Sequence, residues 1–215
     1  MMKLTKFDWA SILIIIILFV ISAYVYPTLS DQIPTHWNAA GEVDDWSAPE
    51  AIFLMPAIMF LVFGLFLIIP SIAVFQDNIP QFKQFPSLKL VIILFFTFIY
   101  AATLTATLGY DLNMSTMILP AVGLLLLYFG YILPHSKRNF FIGIRTPWTL
   151  ANDHVWKKTH QIAGKLFMFF GLLMFIAAFI TFIMIFAIVL IILAILGLVV
   201  YSYFIWKMDG KKKTL

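Results

Sequence analysis

The sequence predicts an all-α, polytopic membrane protein with six transmembrane helices and both termini in the cytoplasm. Three observations lead there. Apolar runs recur near 8–26, 51–75, 88–109 and 114–133, and another continues unbroken over 166–206. A bilayer core about 30 Å thick takes about 20 helical residues to cross. The chain is 63% hydrophobic and 11% charged, more apolar surface than a soluble domain of 215 residues can hide. Threading the runs alternately puts all fourteen basic residues on one side: Lys3, Lys6, Lys83, Lys89, Lys137, Arg138, Arg145, Lys157, Lys158, Lys165, Lys207, Lys211, Lys212 and Lys213. The opposite loops hold Asp31, Glu42, Asp44, Asp45 and Asp111 and no positive charge. Cytoplasmic loops carry the Lys/Arg excess, which sets the orientation.

Lys3 and Lys6 before an apolar run resemble the start of a signal peptide. The run is too long for one, and Tyr24-Val25-Tyr26-Pro27 lacks a small-residue cleavage site, so it reads as a retained first helix. In the third helix, Ala101, Thr105 and Gly109 recur every four residues, either as a close-packing face or by chance in an Ala/Thr-rich stretch. The run 166–206 would be about 62 Å long as one helix, twice what a bilayer needs. Lys165 and Lys207 bracket it on the same side, so it must be a hairpin, with its turn expected near Thr181–Ala187. With no internal repeat, 1–215 reads as a single six-span domain with an outer loop, 27–50, and an inner loop, 134–165.

Zero cysteines exclude disulfides, a thiol nucleophile and Cys-based metal sites. The basic residues are dispersed among four loops, which argues for topology and against direct nucleic-acid binding. Lys211-Lys212-Lys213 reads as a contact with anionic lipid, at about 1 kcal/mol per basic residue. No ionisable residue sits in the middle of a span, where proton relays and ion paths are marked. P-loop, HExxH and GxSxG motifs are absent too. The expectation is a protein that is not an enzyme and needs no cofactor.

Both long loops exceed ordinary connections. In the outer one, Pro27, Pro34 and Pro49 restrict the backbone, and Asn38-Ala39-Ala40-Gly41 is a turn candidate. His36, Trp37 and Trp46 suit the headgroup level. Three readings stay open: a stiff cap, an acidic and aromatic face for a cationic or amphipathic ligand, or a metal site of His36 with Asp44 or Asp45. The last lacks diagnostic ligand spacing.

In the inner loop, Asn152 is expected to cap a helix whose first turn holds Asp153. That helix carries Trp156, His160 and Gly164 on one stripe into the fifth span, while Lys157, Lys158 and Lys165 snorkel to lipid phosphates. Arg145, within Gly143-Ile144-Arg145-Thr146-Pro147-Trp148, has the forked geometry that suits a carboxylate or phosphate. It pairs with a structural partner such as Asp153 or a backbone carbonyl, binds an anionic headgroup, or belongs to a docking surface. His154 and His160 are about 120° apart on a helix, which argues against a metal site formed with His135.

LSDQIPTHWNAAGEVDDW, after the first helix, resembles the bacterial domain of unknown function often found at the N-terminus of SdpI-like proteins. NFFIGIRTPWTLANDHVWKKTHQIAGKLF resembles the signature of the SdpI family itself. With the six-helix layout, the resemblance covers essentially the whole chain. It implies a bacterial plasma-membrane protein that confers immunity to a secreted toxic peptide and can hold a cytoplasmic repressor at the membrane. By position, the outer motif implicates Pro34, His36, Trp37, Asn38, Gly41 and Asp44. The inner motif implicates Asn139, Gly143, Arg145, Thr146, Pro147, Trp148, Thr149, Trp156, His160 and Gly164. Members often carry a Lys shortly after the outer motif, where this chain has Ser47-Ala48-Pro49. The competing class is a small transporter or lipid-handling protein with an anionic headgroup site at the inner loop.

Overall fold

A computed structural model describes residues 4–72, 78 and 82–212. The lipid-contact reading of Lys211-Lys212-Lys213 falls outside the side chains described, as does Lys3. The elements are α1 (Lys6–Val25), β1 (Ile33–Trp37), β2 (Val43–Ser47), α2 (Leu54–Ile72), α3 (Phe85–Thr107), α4 (Met114–Ile132), the short α5 (Pro147–Ala151), α6 (Asp153–Ala177) and α7 (Thr181–Lys212). All the α-helices except α5 are long and apolar enough to cross a membrane, and the protein is a multi-pass membrane protein. Their outer faces confirm the solvent. Leu13, Val20 and Tyr24 on α1 and Phe182, Ile185 and Leu193 on α7 are exposed, a surface that lipid rather than water accommodates.

The chain divides into two compact units, Met1–Ile68 with Pro86–Val122, and Ile69–Phe85 with Gly123–Leu215. In the first, Ile15 and Leu18 of α1 pack with Met59 and Phe63 of α2 and Ile93 and Tyr100 of α3. A polar tie crosses this core. The Ser22 hydroxyl donates to the Ile52 carbonyl at 3.3 Å and lies 2.8 Å from the Tyr100 hydroxyl.

At the start of α1, Thr5 and Asp8 form a capping box: the Asp8 N–H donates to Thr5 Oγ1, and Asp8 Oδ2 accepts from the Thr5 N–H at 2.8 Å. The same carboxylate forms an ion pair with Lys89, and both side chains are only 2% exposed. This corrects the assignment of Lys89 to a loop as a topological charge. It lies inside α3 and is compensated across the unit. The pair sits in the opening turns of α1 and α3, away from the centres of those two spans.

The Ala101/Thr105/Gly109 face is also corrected. Gly109 lies past the end of α3 with φ +88°, and nothing approaches the position its Cβ would take. The Tyr110 N–H donates to the Thr105 carbonyl and the Gly109 N–H to that of Ala106, the paired bonds of a Schellman cap. Gly109 ends the helix and packs against no partner.

Close helix approach occurs instead in the second unit. A Cβ on Gly123 would lie 2.7 Å from the Gly171 carbonyl oxygen, and one on Gly130 would lie 2.8 Å from that of Gly164. The reverse substitutions meet the same backbones. α4 and α6 therefore touch backbone to backbone at two points, antiparallel. The seven-residue spacing returns each glycine to one face every two turns. The turn between α6 and α7 lies at 178–180, just before the expected window. With no Gly or Pro to mark it, helical carbonyls are closed there by short bonds from Phe179 to Ile176 and Ile180 to Ala177.

Candidate functional site

The loop 27–50 folds into an antiparallel hairpin, which the turn reading of Asn38-Ala39-Ala40-Gly41 had only partly anticipated. Ile33 pairs with Ser47, Pro34 with Trp46, His36 with Asp45 and Trp37 with Val43, with two register irregularities that accommodate Pro34 in a strand. Asn38 builds the turn: its Oδ1 accepts from the Ala40 and Glu42 N–H groups, and its Nδ2 donates to Glu42 Oε2 at 3.2 Å.

The turn docks on the start of α4. Asn113 caps that helix through Oδ1 to the Thr116 N–H and donates from Nδ2 to the Ala40 carbonyl, while the Met114 N–H reaches the Gly41 carbonyl. Gly41 has φ +84°, and a Cβ there would lie 2.6 Å from Asn113 Oδ1. Glycine is required at this contact on both counts.

Between hairpin and α3–α4 connection lies an open cleft of about 470 Å³. Trp37, Trp46 and Tyr110 supply aromatic surface, Glu42 and Asp111 carboxylates, and Pro34, Val43, Ala106 and Leu112 apolar wall. The expected outer residues thus divide. Pro34, Trp37 and Gly41 line the cleft, Asn38 shapes the turn behind it, and His36 pairs with Asp44 at 2.5 Å outside its lining. The wall from Tyr110 to Asn113 was invisible in the outer motif, because it comes from a connection more than sixty residues away. Among the described residues no group of three or more His or carboxylate side chains could hold a metal.

The inner motif forms a polar knot over α6. Asn139, 4% exposed, accepts from the Phe141 and Ile142 N–H groups and donates to the Lys137 carbonyl. Thr146 and Thr149 form the capping box of α5, with Pro147 at its first position. Asn152 caps α6 through the His154 and Val155 N–H groups. Trp156 Nε1 donates to the Ser136 carbonyl at 2.9 Å, and its ring stacks on His160 at 4.1 Å. His160 is fully buried: Nδ1 donates to the Trp156 carbonyl, and Nε2 accepts from the Ile144 N–H at 2.9 Å. Trp148 Nε1 donates to Ser202 Oγ of α7, with Tyr203 edge-on to the ring. Gly164 makes the α4 contact described above.

The motif residues therefore hold the loop onto α6 and α7, and Arg145 differs from them. It is exposed and donates to the Phe140 carbonyl. The cation that pairs with Asp153 is Arg138, at 3.1 Å. His154 is 2.7 Å from Asp209 of α7, and His135 contacts the Tyr131 carbonyl.

Comparison with known proteins covers both loops. Residues 13–60 match the Domain of unknown function (DUF1648), and residues 136–202 match the SdpI/YfhL protein family. Over that segment the chain is similar to the SdpI/YfhL protein family. The matched C-terminal segment runs from Ser136, whose carbonyl holds Trp156, to Ser202, whose hydroxyl holds Trp148. Over 171 residues the chain is 29% identical to Immunity protein SdpI of Bacillus subtilis (strain 168), covering 80% of this chain and 81% of that relative. No solved structure matches.

Proposed function

We propose that this chain is a membrane immunity protein that guards the cell against a secreted toxic peptide, recognised at the hairpin cleft. It is oriented with both termini and the loop 134–165 in the cytoplasm, and 1–215 acts as one membrane domain without enzymatic activity. The observation that carries this reading is the similarity to Immunity protein SdpI, which covers most of each chain. The cleft adds a concave, aromatic and acidic surface whose lining holds no Lys or Arg. Relay to a cytoplasmic repressor would use the knot of the inner loop, and requires two states that differ in toxin affinity.

Survival of a toxin-sensitive strain, with and without this gene, tests the immunity role directly. Equal killing in both strains refutes it. Within that assay Trp37→Ala should abolish protection at unchanged membrane abundance, whereas His36→Ala, outside the cleft, should leave protection largely intact. The reverse order would move recognition to the His36–Asp44 face.

Orientation is tested by single cysteines in the Cys-free chain. An impermeant thiol reagent applied to intact cells should label Ala40→Cys and spare Ala151→Cys. The opposite labelling overturns the topology.

Arg145 is proposed as the exposed contact of the inner loop for a carboxylate or phosphate. Arg145→Lys keeps the charge and loses the planar fork, so it should impair output nearly as much as Arg145→Ala, with both variants folded. Wild-type behaviour of the Lys variant reduces Arg145 to a topological charge.

A further inference from the structure

We infer that the hairpin cleft is a receptor for a cationic side chain, lysine or arginine, carried on an apolar segment of peptide. The inference rests on the cleft being the recognition surface proposed above, and names the chemistry of its occupant. Three indole or phenol rings, those of Trp37, Trp46 and Tyr110, share the concavity with the carboxylates of Glu42 and Asp111. None of its lining residues is Lys or Arg.

Aromatic faces attract cations through the ring quadrupole, and the carboxylates add a field of the same sense. The Asn38 amide holds one Glu42 carboxylate oxygen in place at 3.2 Å, and the contacts of Asn113 with the turn fix the two walls against each other. The carboxylate is thus positioned before any ligand arrives. At about 470 Å³ the cleft also exceeds what one ammonium group fills, leaving room for a flanking apolar residue.

Other occupants fit less well. A metal ion lacks a cluster of three ligating side chains among the described residues. A zwitterionic lipid headgroup brings a phosphate with its ammonium, and the lining offers that phosphate two negative charges and no cation. A peptide cation meets neither objection.

The full chain in phosphatidylcholine nanodiscs provides the test, with empty nanodiscs as control. The probe is a short amidated peptide bearing two lysines and one phenylalanine. Its twin carries norleucine in place of both lysines. Binding is followed by calorimetry and by tryptophan fluorescence. The lysine peptide should bind about tenfold more tightly than its twin, an advantage expected from one cation–π contact and one carboxylate pair. Added salt should erode that advantage. Glu42→Gln and Asp111→Asn should each remove part of it in protein that unfolds at the wild-type temperature.

Equal binding of both peptides, or none by either, overturns the inference. So does displacement of the lysine peptide by glycerophosphoethanolamine, which would make a lipid headgroup the better occupant. The salt arm needs no variant, so a misfolded substitution leaves the test standing. The two proposals fail separately. Protection by the gene without probe binding leaves immunity standing and removes this site. Probe binding without protection retains the cation receptor and removes the immunity role.

Discussion

Lys89→Met should destabilise the protein by about 3–5 kcal/mol, the usual cost of removing one member of a buried ion pair. Asp8 and Lys89 are each 2% exposed, so neither charge has water to fall back on when its partner is lost. In the single variant the Asp8 carboxylate retains the Thr5 N–H and hydroxyl, at 2.8 and 2.7 Å, and loses its only countercharge in the described contacts. The double change Asp8→Asn with Lys89→Met removes both charges, keeps an acceptor for the cap, and should recover most of the stability.

Unfolding followed in detergent, run as a double-mutant cycle, measures the coupling. Lys89→Arg separates this account from a topological one, because it preserves the positive charge while changing the shape of a closely packed site. A Lys89→Met variant within about 1 kcal/mol of wild type would mean the pair is solvated and weak, as surface pairs are.

Gly143→Ala should cost about 3 kcal/mol or more, through two separate penalties. Gly143 has φ +111°, a conformation that strains any residue with a side chain, and the added Cβ would lie 2.2 Å from His160 Nε2. That nitrogen accepts the Ile144 N–H, so displacing the ring breaks a buried hydrogen bond and disturbs the Trp156 stack. Replacing His160 with Ala alongside Gly143→Ala relieves the collision and leaves the backbone strain, so the double variant should remain less stable than His160→Ala alone. Thermal unfolding of the four proteins separates the two penalties. If Gly143→Ala matches wild type, the loop does not close over His160.

The two predictions also mark how far local reading reaches. Gly143 and His160 were both singled out in the sequence, as part of the inner motif and as part of a helical stripe. Their contact was not legible, because sixteen residues of loop and helix separate the backbone that needs the space from the ring that fills it. Lys89 was misread for a related reason. A cation at the edge of an apolar run looks like an interfacial charge unless the helix carrying its partner is known to lie beside it. Similarly, Ala101, Thr105 and Gly109 have the right spacing for close packing, yet nothing approaches the Cβ position of Gly109. Of the glycines that do meet, 123 with 171 and 130 with 164, only Gly164 stood out beforehand, and as part of the Trp156/His160 stripe instead of as a close-packing contact.

What the amino-acid sequence determined by itself is what depends on neighbours along the chain or on the solvent. It set the six spans, through runs of apolar residues that lipid accepts. It set the cap at Asn152, through a side chain that reaches only the next turn. It also placed the turn at Asn38–Gly41. Tertiary structure alone decided which distant groups compensate one another: Asp8 with Lys89, Trp148 with Ser202, and the hairpin with the 110–113 connection that completes the cleft. Hydrogen bonds and ion pairs act over a few ångströms. Until packing brings two segments within that reach, nothing in either one identifies its partner.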